Sequence, residues 1–376
     1  MRGRKLIAAA TASVCLAACG ADEEPRTLAQ SSPEEAPAQA PAETVEAREE
    51  PRDSVEELRL GLAEALGQTI VARYTGPRPS RSLLTRIRRG RVGGVILFAD
   101  NVQQPRSGIR AAIRSLHRAA RAGNRPKVLV MVDQEGGLVK RLPGPPSTAA
   151  RSMREPFAQG AATGRLLRGL GIDVDLAPVA DVAHPGSFIG SRAFATAPGT
   201  TASRACAFAK GLLGQDVAPA LKHFPGLGYA KVNTDEAPAT IDVAAAALRR
   251  DYEPYRRCGT QPGTLAMLSS AVYPRLTGGE PAVLSKSAYA RELPRRGAWP
   301  VTISDALETP ALAGEPTPAR RALTAGLDLL LYANTEAGSA RAYSVLLRDA
   351  RAGRIPRARI EQAAKRVLRL KAFLAG

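Results

Sequence analysis

The chain has 376 residues, 44% hydrophobic and 23% charged, which suits one large folded domain or two small ones and excludes a disordered chain or a multispan membrane protein. Four cysteines are too few for a disulfide scaffold, and three separated histidines, His117, His184 and His223, offer no metal cluster. The net charge of +18 would suit an anionic partner, but it averages over unlike segments.

Residues 1–18 read as a leader. Arg2, Arg4 and Lys5 precede an uncharged apolar run, Leu6 to Ala18, the layout of a secretory signal and too short for a stable span. Leu16-Ala17-Ala18-Cys19 is similar to a bacterial lipobox, in which the cysteine is lipidated and becomes the first mature residue; a plain signal is the alternative. The expectation is an exported protein held at the extracytoplasmic face of the cell membrane by acyl chains on Cys19. Residues 19–53 are rich in Pro, Ala and Glu and hold no Trp, Phe or Tyr, so they bury too little to offset chain entropy and read as a disordered acidic linker. The linker contributes −7 and the leader +3, which leaves +22 on residues 54–376. Arginines decorating solvated helix faces account for that charge better than a dedicated polyanion site does. No aromatic-interleaved basic motif points to nucleic acid.

From Ser54 the pattern alternates. Strands are expected at Thr69–Arg73, Val95–Phe98, Val128–Val132, Val174–Ala177, Ala220–His223, Leu265–Ser269, Val301–Ile303 and Leu329–Tyr332. Between them helical spacing marks Ile109 to Ala120, and then Pro156–Leu170, Thr201–Leu213, Val243–Arg257, Ser285–Leu293 and Pro318–Ala325. A last helix carries Ile360, Ala363, Val367, Leu370 and Leu374 on one face. Continuous apolar strands separated by helices imply a parallel sheet, and eight such units imply a single (β/α)₈ barrel over residues 54–376. Tyr74-Thr75-Gly76-Pro77 after the first strand lacks the glycine-rich turn of a dinucleotide fold. Neither a Gly-x-Ser-x-Gly elbow nor a Gly-Lys pair is present, which removes serine-hydrolase and P-loop readings.

Several apolar runs end in charge: Asp133-Gln134-Glu135, Asp181, Lys222-His223 and Ser304-Asp305. In a barrel these are the positions of chemistry, and an unpaired carboxylate there has no packing rationale. Asp133-Gln134-Glu135-Gly136-Gly137 also reads as a turn, and Asp305-x-x-Glu308 also reads as a helix capping box. Lys222 ends a core strand and needs an anionic or hydroxylic partner, while strand alternation sends His223 to the opposite side.

The segment Val132-Asp133-Gln134-Glu135-Gly136-Gly137-Leu138-Val139-Lys140-Arg141-Leu142 resembles the sugar-binding segment of family 3 glycoside hydrolases, in their β-N-acetylhexosaminidase branch. Agreement continues through Gly171 to Val179, Ile189-Gly190-Ser191-Arg192-Ala193-Phe194, Lys222-His223-Phe224-Pro225-Gly226 and Ile303 to Glu308. The resemblance implies a retaining exo-glycosidase acting on terminal β-N-acetylhexosaminides of a glycan, on one barrel without the second domain of related β-glucosidases. It implies Asp305 as nucleophile and Asp133, Arg141, Arg192, Lys222 and His223 as holders of the sugar hydroxyls. No cofactor or metal is implied, and a monomer is expected.

The acid/base pair departs from the family. The branch usually supplies Asp-x-His in the loop after Lys-His-Phe-Pro-Gly, and by distance from Lys222 that pair falls on Asn233 and Asp235. Either Asp235, or Glu236 beside it, is the acid with its pKa raised by burial, or the protein is a glycan-binding lipoprotein with weak catalysis. A purely structural role is disfavoured by the strand-end charges. In a barrel with parallel helices, Cys206 falls in the first turns of one helix and Cys258 at the end of the next. Such positions exceed the ~7 Å Cα limit for a disulfide, so two free thiols are expected.

Overall fold

The computed structural model describes residues 60–293 and 301–375, so the expected leader, Cys19 and linker lie outside the described residues. Eight parallel strands form a ring: β1 (Ile70–Ala72), β2 (Gly94–Leu97), β3 (Leu129–Val132), β4 (Val174–Asp175), β5 (Ala218–Phe224), β6 (Leu265–Leu268), β7 (Val301–Ser304) and β8 (Leu330–Leu331). Each pairs with its sequence neighbours, β8 pairs with β1 through Ile70 and Leu330, and a parallel bridge from Ile303 to Leu329 closes the circle. The fold is the expected (β/α)₈ barrel. All eight strands fall where continuous apolar runs placed them, because a barrel strand is buried on both faces. Val71, Ile96, Met131, Val174, Met267, Ile303 and Leu331 fill the inside of the ring in one cluster.

The outer ring comprises α1 (Leu62–Gln68), α2 (Arg81–Arg88), α3 (Arg106–Ala122), α4 (Pro156–Leu170), α5 (Pro198–Leu213), α6 (Ala245–Arg250), α7 (Glu253–Cys258), α8 (Pro318–Ala325), α9 (Glu336–Arg351) and α10 (Arg357–Phe373). The helix expected over Val243–Arg257 is split into α6 and α7. Pro254 at the start of α7 has no N–H to give, and its ring would meet the Arg250 carbonyl of a continuous helix. The helix expected over Ser285–Leu293 is reduced to short turns at Ala282–Leu284 and Ala288–Glu292. There Ser285 and Ser287 hydroxyls bond each other, and Ser287 also donates to the Leu276 carbonyl, competing with helical pairing. No helix among the described residues is long and apolar enough to cross a membrane.

Cys206 and Cys258 form a disulfide with Cα atoms 5.6 Å apart, which overturns the expectation of two free thiols. Helix α5 begins at Pro198, so Cys206 sits in its middle and not in its first turns. Helix α7 is only 6 residues long, about 9 Å at ~1.5 Å per residue, and stops level with the middle of α5. Helix length, and not helix direction, brings the sulfurs together. Replacing both cysteines by serine should cost about 2–4 kcal/mol for a bridge closing a separation of 52 residues. Denaturant unfolding of this double variant against the oxidised protein measures that loss, and equal midpoints would show that the bridge does not form.

Candidate active site

At the C-terminal ends of the strands lies a cavity of about 450 Å³ whose wall includes Asp133, Arg141, Arg192, Lys222, His223, Asp235 and Asp305. These seven residues of the barrel sequence therefore meet in one place, within the size range of small-ligand pockets. Asp133 follows β3 directly, and the chain then makes a small hairpin, Gln134–Gly136 against Val139–Lys140. Gly136 and Gly137 turn it with φ of 92° and 60°, and a Cβ on Gly136 would stand 2.3 Å from the Thr148 carbonyl oxygen. The Gln134 amide reaches across this loop, donating to Leu142 and Pro145 carbonyls and accepting from the Arg141 and Leu142 amides. Arg141 is thereby held at the cavity wall, with its guanidinium 5.3 Å from the centre of the Phe98 ring.

Lys222, in β5, is buried and sits between two carboxylates. Its Nζ donates to Asp133 Oδ1 at 2.7 Å and lies 2.7 Å from Glu135 Oε1. Glu135 also accepts both arms of Arg192, from Nε and Nη2, each at 2.9 Å. Burial would raise the Glu135 carboxyl, but Lys222 and Arg192 outweigh it and hold it down at about 2. Burial opposes the charge on Lys222 too, and Asp133 and Glu135 overcome it, so its ammonium is held more firmly than an ordinary lysine's. Beneath them Asp175 is fully buried and accepts the Gln134 N–H at 3.0 Å. Burial pushes its carboxyl well up, against the lowering effect of the Gln134 amide and Lys222.

His223 lines the same cavity as Lys222, contrary to the alternation expected of a regular strand. The Lys222–His223 peptide bond is cis, and the pairing of β5 with β6 shifts register between Leu221 and Phe224, so regular alternation of sides does not hold here. His223 Nδ1 is 2.8 Å from Asp181 Oδ2, while Asp181 Oδ1 accepts the His223 and Leu227 amides. An imidazole that gives its Nδ1 proton to Asp181 presents Nε2 as an acceptor.

Asp305 follows β7 and does not cap a regular helix. Only a short 3₁₀ turn, Pro310–Leu312, follows, and Asp305 Oδ1 accepts the next amide, Ala306, at 2.8 Å. Glu308 turns instead to the Asn334 amide at 2.9 Å. Asp235 keeps solvent access at the mouth, yet the cavity wall crowds it. Burial raises its carboxyl first, and the nearby charge of Asp305 raises it further, against the lowering effect of His223. Asn233 bonds the Asp235 amide through Oδ1 and reaches Glu236 through Nδ2. Glu236 is exposed and outside the cavity wall.

Glu135 and Asp181 stood in view as strand-end carboxylates, but their partners did not. Arg73, Phe98, Glu308 and Asn334 complete the wall, and only ring closure brings them there. Among the described residues no group of three or more His, Cys, Asp or Glu is arranged to hold a metal ion; Asp133 and Glu135 are committed to Lys222 and Arg192.

Glu135 also governs acid stability. Its carboxyl is stabilised as the anion in the fold, about 2 against an ordinary 4.5, so its contribution is complete above pH 4.5 and fades as pH falls towards 2. Glu135→Gln should cost about 3–5 kcal/mol at neutral pH by leaving Arg192 without its carboxylate and Lys222 with Asp133 alone, and should flatten the loss of stability in that acid window. Urea unfolding at pH 7 and pH 3 reads both effects.

The Glycosyl hydrolase family 3 N terminal domain matches residues 57–370. An uncharacterized secreted glycosyl hydrolase of Arthroderma benhamiae is 33% identical over 84% of this chain and 95% of its own. The beta-hexosaminidase LpqI of Mycobacterium tuberculosis is 33% identical over 74% of this chain and 76% of its own. Among solved structures, a family 3 beta-N-acetylglucosaminidase from Paenibacillus superposes with a TM-score of 0.78 at 28% identity, covering 84% of this chain and 63% of that longer one. Beta-N-acetylhexosaminidase from Beutenbergia cavernae superposes at 0.74 with 27% identity, over 83% and 99%. The chain belongs to glycoside hydrolase family 3, among its β-N-acetylhexosaminidase relatives.

Proposed function

We propose that the protein is a retaining exo-glycosidase that hydrolyses terminal β-N-acetylhexosaminides, with Asp305 as nucleophile and Asp235 as acid and base. Asp133, Arg141, Arg192, Lys222 and His223 hold the hydroxyls of the terminal sugar. The Asp305 carboxylate attacks the anomeric carbon as the glycosidic C–O bond breaks, and Asp235 gives its proton to the departing oxygen. Asp235, now a carboxylate, takes a proton from water; the water oxygen attacks the anomeric carbon and frees Asp305, with net retention.

One observation carries the reading: Asp305 and Asp235 line the same cavity, and the charge of the first helps raise the carboxyl of the second. Two carboxyls pushed apart in this way are suited to opposite roles. The proposal includes export and an acyl anchor on Cys19, supported by the leader pattern and by a relative whose name describes a secreted glycosyl hydrolase. A second reading, glycan binding with little turnover, is favoured by the Asp235 carboxyl having no imidazole beside it in its own loop.

Asp305→Ala should lower turnover of aryl glycosides and saccharides alike by several orders of magnitude; unchanged turnover would falsify its role. Asp235→Asn should cost ~10²–10⁴-fold in kcat/KM on saccharide leaving groups and far less in kcat/KM on 4-nitrophenyl glycosides, whose oxygen departs unprotonated. Because the Asp235 carboxyl is raised, its acid form persists to higher pH than an ordinary aspartic acid. Saccharide kcat/KM should therefore fall on the alkaline side as that proton is lost, and Asp235→Asn should abolish this limb. Wild-type cleavage of aryl glycosides alone would instead favour the binding reading.

A further inference from the structure

Helix α3 carries Arg106, Arg110, Arg114, Arg118 and Arg121, all exposed. The first four recur every four residues and the fifth falls within their arc, so the five guanidiniums share about a third of the helix circumference. The other face, with Ile109, Ala112, Ile113, Leu116 and Ala120, is buried against the barrel. Because α3 joins β2 to β3, it runs antiparallel to the strands, and the stripe extends about 22 Å from the mouth towards the far end at ~1.5 Å per residue. Like charges four residues apart destabilise a helix, and α3 holds no Asp or Glu to offset them. No ion pair or hydrogen bond joins any of the five to a carboxylate among the described residues.

Helices α2 and α4, which pack on either side of α3, also lack Asp and Glu and expose further arginines. Residues 77–132 contain thirteen arginines and lysines and one carboxylate, Asp100. Exposed arginines on other faces are paired: Arg256 with Glu253, Arg275 with Asp242 and Arg357 with Glu361, at 3.1, 2.9 and 2.7 Å. A general surplus of arginine accounts for both kinds of face, but not for the absence of carboxylates from this one. Five like charges held together gain nothing from the fold, so their counter-charge comes from outside. No residue of α2, α3 or α4 lines the candidate active site, and α2 and α3 contain no Trp, Tyr or Phe. Polymers of sugars or nucleotides are gripped largely by stacking on aromatic rings, whereas a field of lipid headgroups needs charge alone. With its apolar face turned inward, α3 has nothing to insert into a bilayer, and the attraction is electrostatic.

We propose that the α3 face is a docking surface for an anionic lipid membrane. Lying on that face sets the barrel axis along the membrane and leaves the mouth open to the side. Docking requires neither catalysis nor an acyl chain, so the full chain carrying Cys19→Ser is sedimented with vesicles. Partitioning onto phosphatidylcholine with about one third phosphatidylglycerol should exceed that onto phosphatidylcholine alone by about tenfold or more. It should vanish as salt shortens the Debye length from about 10 Å at 0.1 M to about 3 Å at 1 M. Arg110→Gln, Arg114→Gln and Arg118→Gln together should lower partitioning onto the anionic vesicles about a hundredfold, at about fivefold for each arginine near the surface. Gln resembles Arg in helix propensity, so the thermal midpoint should not fall, and Arg→Lys at the same three positions should retain binding. Arg256→Gln, Arg275→Gln and Arg357→Gln together make the same change in net charge on other faces and should lose less than about threefold. Equal partitioning onto both vesicles, an unchanged value in the α3 triple variant, or an equal loss in the second triple variant overturns the docking face. Soluble polygalacturonate is the rival ligand: arginine-dependent binding to it without binding to anionic vesicles assigns the face to a polymer and overturns the lipid surface.

Discussion

The buried ammonium of Lys222 joins the parts of the barrel mouth. Its contacts with Asp133 and Glu135 tie β5 to the segment after β3, and Glu135 carries the connection on to Arg192 in the segment after β4. Removing four charges from water is expensive, and their mutual attraction repays that cost only when every partner is in place. The cluster is therefore an all-or-none frame. Its two cations and two carboxylates nearly cancel, so it can be buried as a unit, while its outer atoms still present donors and acceptors to a polar ligand.

Within that frame identical functional groups are sorted by surroundings. Glu135 meets two cations and is held down; at Asp175 burial outweighs the Gln134 amide and Lys222 and pushes the carboxyl up; Asp235 is pushed up by crowding and by Asp305. A carboxyl's chemistry at the mouth thus follows from which neighbour reaches it. The same dependence extends outwards: the loop that carries Asp235 is bonded to the segment after β4 through the His184 and Phe188 amides, so the position of that carboxyl is set by two loops together.

Much of this was legible from residue order. Parallel barrel strands are buried on both faces, so each appeared as an unbroken apolar run, and charges ending such runs marked the mouth. Helix α9 escaped notice because its buried face includes Gly338, Ser339 and Asp349 beside Tyr343 and Leu346, which blurs the apolar stripe. The polar ends of the runs were visible as charges, but not the pairing of Glu135 with Arg192 or of Asp181 with His223, which join residues 57 and 42 positions apart.

Residue order by itself determined the eight strand–helix units, the class of fold and the set of polar groups at the strand ends, because burial and periodicity are local properties of a chain. Tertiary structure decided the Cys206–Cys258 bridge, the common orientation of Lys222 and His223 and the joining of the loops at the barrel mouth. These depend on how far a helix extends, where a ladder slips and which loops meet, and packing between distant segments sets all three.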